Sequence, residues 1–325
     1  MMTRTSRNVF ISLLLVVCAC GTSQQSVTLM SPRTIGNAGS AVTSLCIVGP
    51  NTIVGVAEDS GIVRSTDGGA HWTGWAAGVP SRYVSAIVMN GPGDLFASTI
   101  GSGIYRRLRN SESWTRCDTS APKDALLRVH ALAVSGIDNY VYATTLEHGV
   151  YRSTDNGVIW RNYNIGLGIM NINAITVGDD NMVYARCVGG GVFRHAAIWN
   201  EWVPLNAGLD DPYITTVAAR HGATILLGTR NGHVYLLDNI MNEWKDISKN
   251  LPGYYVTVVG ATLGGIVLAA TKSGLYKFSM KDSTWSSPDH ALDSVNIRSM
   301  AIDHDGTVYV GASDGQVMRI AIPAE

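Results

Sequence analysis

Short apolar runs alternate along the chain with tight clusters of glycine, asparagine and aspartate, and the spacing of an amphipathic helix is missing between them. Apolar runs at Val129 to Val134, Tyr140 to Thr145 and Gly149 to Ser153 are followed by Trp160. They are separated by Gly136-Ile137-Asp138-Asn139, Glu147-His148 and Asp155-Asn156-Gly157. Runs this short, bounded by turn residues of this kind, predict four antiparallel strands joined by hairpins.

The unit repeats. Trp72, Trp114, Trp160, Trp202, Trp244 and Trp285 are separated by 42, 46, 42, 42 and 41 residues. An apolar residue opens a strand in the same phase at Val42, Val84, Val129, Ile172, Ile214, Val256 and Ile297. A third marker, Gly-apolar-aromatic-base, stands at Gly103-Ile104-Tyr105-Arg106, Gly149-Val150-Tyr151-Arg152, Gly191-Val192-Phe193-Arg194 and Gly274-Leu275-Tyr276-Lys277. A period of roughly 40–50 residues built from four strands is that of a propeller blade. One such sheet cannot bury both apolar faces, whereas stacking around a closed ring buries them and leaves only short edges. The predicted fold is all-β, a seven-bladed β-propeller of four-stranded antiparallel blades over residues 27–325.

The last unit opens at Ile297 and ends with the chain at Glu325, without a fourth-strand tryptophan. In five of six steps between units the tryptophan lies 12 residues before the next opening residue, and the same count back from Val42 lands on Met30. Residues 27–32 are therefore the expected outer strand of the seventh blade, paired near Gln316 to Ile322.

Composition narrows the function. The 24 basic and 25 acidic residues leave a net charge of −1, which offers no field for nucleic acid. Charged residues make up 15% of the chain where about 25% is ordinary, and 35 glycines against 10 prolines suit tight turns rather than disorder.

The first residues read as an address. Arg4 and Arg7 precede an apolar stretch from Val9 to Val17, interrupted by Ser12 and too short to span a bilayer, which takes about 20 helical residues. Ala19-Cys20-Gly21 resembles a bacterial lipobox. That resemblance implies a signal peptide over residues 1–19, acylation of Cys20, and a lipid-anchored tether over 20–26. Gly21 in place of aspartate implies the outer membrane of the envelope. Several acyl chains would hold stably where one is marginal. The remaining thiols, Cys46, Cys117 and Cys187, form no disulfide framework and suit buried positions in the repeat.

Two turns carry a fuller motif, Ser65-Thr66-Asp67-Gly68-Gly69-Ala70-His71-Trp72 and Ser153-Thr154-Asp155-Asn156-Gly157-Val158-Ile159-Trp160. Both resemble the Asp-box, or BNR, repeat of a propeller superfamily that includes sialidases, sortilin-type receptors, xyloglucanase-type hydrolases and photosystem II assembly factor propellers. Elsewhere the Asp position holds Arg109, Ala197, Asn239 and Met280. The resemblance implies a structural box: Ser65, Asp67, Gly69 and Trp72 in one copy, Ser153, Asp155, Gly157 and Trp160 in the other. The carboxylate accepts amide hydrogen bonds inside its turn, glycine supplies positive φ, and the tryptophan packs over the turn and against the next blade.

Catalytic readings find little support. The sialidase pattern needs an early Arg-Ile-Pro, and Arg33-Thr34-Ile35-Gly36 departs from it. A xyloglucanase-type hydrolase needs two carboxylates across a cleft between two propellers; Glu58, Asp59, Glu147, Asp210, Asp211 and Asp289 are candidates, but one propeller is present. The eight histidines are dispersed, so neither a metal site nor a cofactor is implied, and Asp303-His304-Asp305-Gly306 reads as a hairpin.

A base recurs at Arg64, Arg106, Arg152, Arg194, Lys277 and Arg319; it is either a charged ring for an acidic partner or, as favoured, a stem lying on apolar surface. The better surface is the mouth formed by the connections around the inner strands. Apart from Ala41, the residues flanking each opening position are polar or aromatic, among them Tyr83, Arg128, His130, Tyr213, Tyr255 and Arg298, with Tyr254 next to Tyr255. They are candidate contacts for a protein or glycan partner, or a lining that only solvates a channel. The expected function is a membrane-tethered, non-enzymatic binding or assembly scaffold, with a carbohydrate-active hydrolase as the alternative.

Overall fold

All seven opening residues of the repeat are buried, and with them the apolar positions on both faces of the strands that follow. The computed structural model describes residues 33–122, 124–196, 198, 200–220 and 224–322. Blade one comprises Val42–Gly49, Thr52–Ala57, Gly61–Ser65 and Thr73–Gly74. The inner strands of blades two to six are Val84–Met89, Val129–Val134, Ile172–Val177, Ile214–Arg220 and Val256–Ala261, and that of blade seven is Ile297–Ile302. Each blade is a four-stranded sheet. The protein is a seven-bladed β-propeller.

The chain ends meet as the count of repeats requires. Arg33–Asn37 lies antiparallel to Gln316–Ala321 and completes blade seven, with Arg33 opposite Arg319 and Asn37 opposite Gln316. The expected segment 27–32 lies outside the described residues. The strand that fills its place begins later because only residues 38–41 separate it from the inner strand of blade one, a shorter connection than between other blades. Ala38 N–H donates to the Gly315 carbonyl at 2.9 Å, and Ser299 Oγ to the Val42 carbonyl at 2.7 Å, across the seam.

Neighbouring blades are tied by the periodic tryptophans. The indole N–H of Trp114 donates to the Trp75 carbonyl at 2.8 Å, Trp160 to Cys117 at 2.9 Å, Trp202 to Tyr163 at 2.6 Å, Trp244 to Leu205 at 2.8 Å and Trp285 to Ile247 at 2.7 Å. Every acceptor belongs to the preceding blade, so the expectation that the tryptophan packs against the next blade is corrected. The turn before each tryptophan carries the ring backward along the chain order. A Cβ on Gly157 would come within 2.8 Å of Phe96 in blade two, so the turn sits directly on that blade.

In both fuller motifs the serine and aspartate close their own turn. Ser65 Oγ donates to Asp67 Oδ1 at 2.8 Å, while Gly69 N–H reaches Ser65 Oγ at 2.7 Å and His71 N–H reaches Asp67 Oδ1 at 2.9 Å. Ser153, Asp155, Gly157 and Ile159 repeat this set at 2.8 Å throughout. Hydrogen bonds from the His71 amide and ring hold the Asp67 carboxyl well below the ordinary range. The recurrent base reaches to the following blade: Arg106 donates to the Asn156 carbonyl, and Arg194 to Asn242 Oδ1 at 2.8 Å. Arg64 and Arg107 cover the Trp75 ring at 4.5 and 3.9 Å. Charge here is spent on cohesion between blades.

Every inner strand carries a register shift one step after its opening residue. The extra residue is Thr43, Ser85, His130, Asn173, Thr215, Thr257 or Arg298, the polar position that the sequence shows after each opening residue. A bulge removes a residue from the ladder and re-aims it, which is the backbone reason for polar side chains there. Ser85 Oγ, for example, donates to the Val129 carbonyl of the next blade at 2.6 Å.

Candidate functional site

The mouth is built on backbone hydrogen bonds. The carbonyl preceding an opening residue accepts from the turn between the second and third strands: Ile100 N–H to Tyr83 at 2.9 Å, Val188 to Asn171 at 2.9 Å, Arg230 to Tyr213 at 2.8 Å and Ser313 to Asn296 at 2.9 Å. Connections held this way present side chains from a rigid frame.

Tyr83, Tyr213 and Tyr254 are 60%, 59% and 66% exposed, a large aromatic area to leave in water without a partner. They stand on the entries to blades two, five and six. Arg82 lies 5.5 Å from the Tyr83 ring, and Lys272 lies 5.9 and 4.6 Å from the rings of Tyr254 and Tyr255. Tyr255 adopts φ 62, a left-handed conformation that bulky residues rarely take. Arg128 approaches Glu147 at 3.9 Å. Burial, and then the charge of Arg128, lowers the pKa of His130. Arg298 occupies the bulge of blade seven, half-buried.

The candidate carboxylates order loops. Asp211 Oδ1 accepts from Tyr213 N–H at 2.9 Å and from Asn231 Nδ2 at 3.2 Å, Asp210 accepts from the Tyr235 hydroxyl, and Asp289 accepts from Ala291 N–H at 2.9 Å. Gly306 N–H donates to the Asp303 carbonyl at 3.1 Å in a hairpin. Burial raises the Cys117 and Cys187 thiols to about 12, as suits packing rather than nucleophilic chemistry. Among the described residues no group of three or more His, Cys, Asp or Glu side chains could hold a metal ion.

Away from the mouth, a cavity of about 120 Å³ opens between blades three and four, lined by Arg152, Arg161, Tyr163, His195 and Asn200 among others. The Tyr163 hydroxyl lies 2.9 Å from His195 Nδ1, the two rings stack at 4.3 Å, and Arg152 covers Tyr163 at 4.3 Å. Burial, then the Arg152 charge, lowers His195 to about 4. Between pH 6.5 and 4 the unfolded chain therefore takes up a proton that the folded protein refuses. Stability is expected to fall by about 1–2 kcal/mol as pH drops through that window, nearby solvent reducing the full linkage value. Thermal melts of His195→Phe should show a shallower acid slope, and an unchanged slope would remove His195 as the cause.

Sequence reasoning missed Arg186 and the approach of Lys272 to the rings of Tyr254 and Tyr255. Lys272 sits in a turn that no marker of the repeat singles out. Arg186 carries a signal only when the second strands are aligned by register.

No family model matches the chain, and no curated protein matches its sequence. Solved structures do share its fold. The extracellular domain of the hybrid two component system BT4673 from B. thetaiotaomicron aligns with a TM-score of 0.74 at 14% identity, over 92% of this chain and 44% of that one, so the chain spans less than half of that relative. YCF48 bound to D1 peptide aligns with a TM-score of 0.72 at 12% identity, over 92% of this chain and 99% of that one. Virginiamycin B lyase from Staphylococcus aureus aligns with a TM-score of 0.74 at 11% identity, over 90% and 98%. At these identities the likeness shows the architecture alone, and that architecture hosts both binding proteins and an enzyme.

Proposed function

We propose that the protein is a lipid-anchored scaffold of the cell envelope that binds a protein partner at the mouth of the ring and carries out no chemistry on it. The observation that carries the reading is the set of exposed tyrosines, Tyr83, Tyr213 and Tyr254, on connections pinned by backbone hydrogen bonds. Aromatic anchors on a rigid frame are the usual hot spots of protein contacts. A propeller of the same architecture is bound to a peptide, which favours a polypeptide over a glycan.

The anchor in this reading is Cys20, acylated after removal of residues 1–19, with Gly21 directing it to the outer membrane. The outer strand of blade seven starts at Arg33, at the end of the ring opposite the mouth, because outer strands run from the third-to-fourth-strand turn toward the mouth. Residues 21–32 could then reach at most roughly 40 Å. That turn face also exposes Ile240, Met241 and Met280. In this arrangement it faces the bilayer while the mouth looks away. The two Ser-x-Asp turns are read as Asp boxes that fasten blades, not as catalytic groups.

Crosslinking in native membranes tests both halves of the proposal. Tyr83→Ala and Tyr213→Ala are each expected to weaken capture of a protein partner about tenfold, the effect of a hot-spot loss near 1.4 kcal/mol. Cys20→Ser is expected to move the protein to the soluble fraction. Undiminished capture by both tyrosine variants, or capture of glycan instead, would overturn the assignment of the mouth.

A further inference from the structure

Arg186 stands in a slot that is otherwise small. In the other six blades the equivalent register position on the second strand, opposite the first residue after the bulge, holds Val56, Ser98, Thr144, Gly228, Ala270 and Gly311. This slot faces the following blade close to the axis. A Cβ on Gly228 would meet Val256 Cγ1 at 2.4 Å, and one on Gly311 would meet Val42 Cβ at 2.7 Å, both opening residues of inner strands. Arg186 leaves blade four at this point. The groups whose charge acts on it are Cys187, beside it in the strand, and Tyr255 at the entry to blade six. A side chain rooted in blade four at a slot that faces blade five, and acted on by a group of blade six, is directed along the inner edge of the ring.

There it has no counterion. Its Nε is shielded from water and donates to nothing, and among the described residues no carboxylate acts on it. Burial lowers its pKa to about 10, offset only in part by a thiol and a phenol rather than by a carboxylate. A shielded arginine elsewhere is treated differently. Arg107, whose Nε likewise donates to nothing, still meets Glu112 at 3.2 Å and covers the Trp75 ring. Arg186 is half-buried with its Nε shielded, and a partly desolvated cation without an anion is costly, which leaves a place for a partner from outside the chain. On the same blade, Asn171 Oδ1 is buried without a donor. Asn171 precedes Ile172, which lies opposite Cys187, so the orphan acceptor and the orphan cation share the mouth end of one blade.

We propose that Arg186 forms a carboxylate-binding subsite inside the channel, where a carboxylate of the bound polypeptide meets the guanidinium and an adjacent N–H of that polypeptide meets Asn171 Oδ1. The subsite rests on the reading of the mouth as a protein-binding surface. It is separate from the recurrent base of the third strands, where Arg64, Arg106, Arg152 and Arg194 are engaged with rings and turns of the fold. Guanidinium takes a carboxylate through two parallel N–H bonds, a geometry that lysine does not reproduce. The carboxylate is that of an Asp or Glu side chain or of a chain end, and the probes below separate the two.

Thermal unfolding of the full-length protein at constant ionic strength tests the subsite. The probes are N-acetylglycine for a chain end, N-acetylaspartate amide for a side chain, N-acetylglycinamide as the uncharged control and glucuronate as a sugar acid. At least one peptide carboxylate is expected to raise Tm saturably by roughly 2–4 °C, and the uncharged control to leave it unchanged. Arg186→Met is expected to raise Tm without a probe, because it removes a half-buried charge that lacks a counterion, and to abolish the response. The Arg186 Nε–Hε resonance of the unmutated protein, expected to shift with the same saturation, gives a reading that does not depend on the variant folding. No response in the unmutated protein, an equal response in Arg186→Met, or a response to glucuronate alone would overturn the subsite. If Tyr213→Ala loses partner capture while Arg186→Met keeps it, the subsite falls and the mouth stands. If the tyrosine variants also keep capture, the mouth falls as well.

Discussion

A chain beginning at Gly39 is expected to lose the closure of the ring and to melt about 10 °C below the intact protein. Deleting Arg33–Asn37 removes the ladder with Gln316–Ala321, the Ala38 N–H bond to Gly315 at 2.9 Å and the Thr34 hydroxyl bond to Gln316 at 3.2 Å. With about 1 kcal/mol for each hydrogen bond, the loss comes to roughly 4–6 kcal/mol, and a domain of this size shifts by about 2 °C per kcal/mol. The third strand of blade seven would also become a bare edge, with Val317, Met318 and Ile320 no longer covered on that side. Unpaired edges recruit strands from other molecules. Calorimetry should therefore show the drop, and sedimentation should show association that grows with concentration. An unchanged melting temperature would mean that the ring is not held shut by this strand.

The second large effect is a contrast between two tryptophans. Trp202 is 2% exposed, donates its indole N–H to the Tyr163 carbonyl and meets the His195 ring edge-on at 5.4 Å. Trp202→Ala is expected to cost about 3–5 kcal/mol. Trp202→Phe keeps most of the packing and is expected to cost about 1–3 kcal/mol, since it leaves a buried carbonyl without its donor. Trp72 lies at the seam against the closing strand, and its shielded indole nitrogen has no acceptor. Trp72→Phe is therefore expected to be close to neutral. Denaturant melts of the two Phe variants check the contrast, and equal losses would show that the indole N–H bonds contribute nothing between blades.

These two sites also show which statements a linear reading can support. The period of the tryptophans and the opening residues determines the number of blades, because each apolar face must find another and a ring of seven satisfies all of them. The need for a strand from the start of the chain follows from the incomplete last unit. Its position does not follow, because the count assumed a connection like those between other blades and the seam uses only residues 38–41. The direction in which the tryptophans reach, to the preceding blade, does not follow either. A hairpin in isolation has the same sequence whichever neighbour it leans on, and the twist of the packed sheets decides which one that is.

The mouth was partly legible. A polar residue after every opening position is visible as a repeat, and the bulge in each inner strand supplies its cause. Exposed tyrosines at the entries could be named from the sequence because turns are where chains leave the core. Arg186 could not. In the sequence it is an arginine in an apolar run, Val183-Tyr184-Ala185-Arg186-Cys187, with nothing to separate it from the stems that lie over rings elsewhere. Its meaning depends on what does not approach it.

By itself, then, the sequence determined the all-β class, the seven-fold repeat, the requirement that the ends meet and the polar character of the inner rim, since each depends on local pattern and chain order. Only the tertiary structure decided where the closing strand begins, which blade each tryptophan grips and that the Arg186 Nε is shielded without an acceptor. The reason is physical. Burial and turn chemistry act on neighbours in the chain, whereas the pairing of charges depends on distances between residues that meet only when the ring has closed.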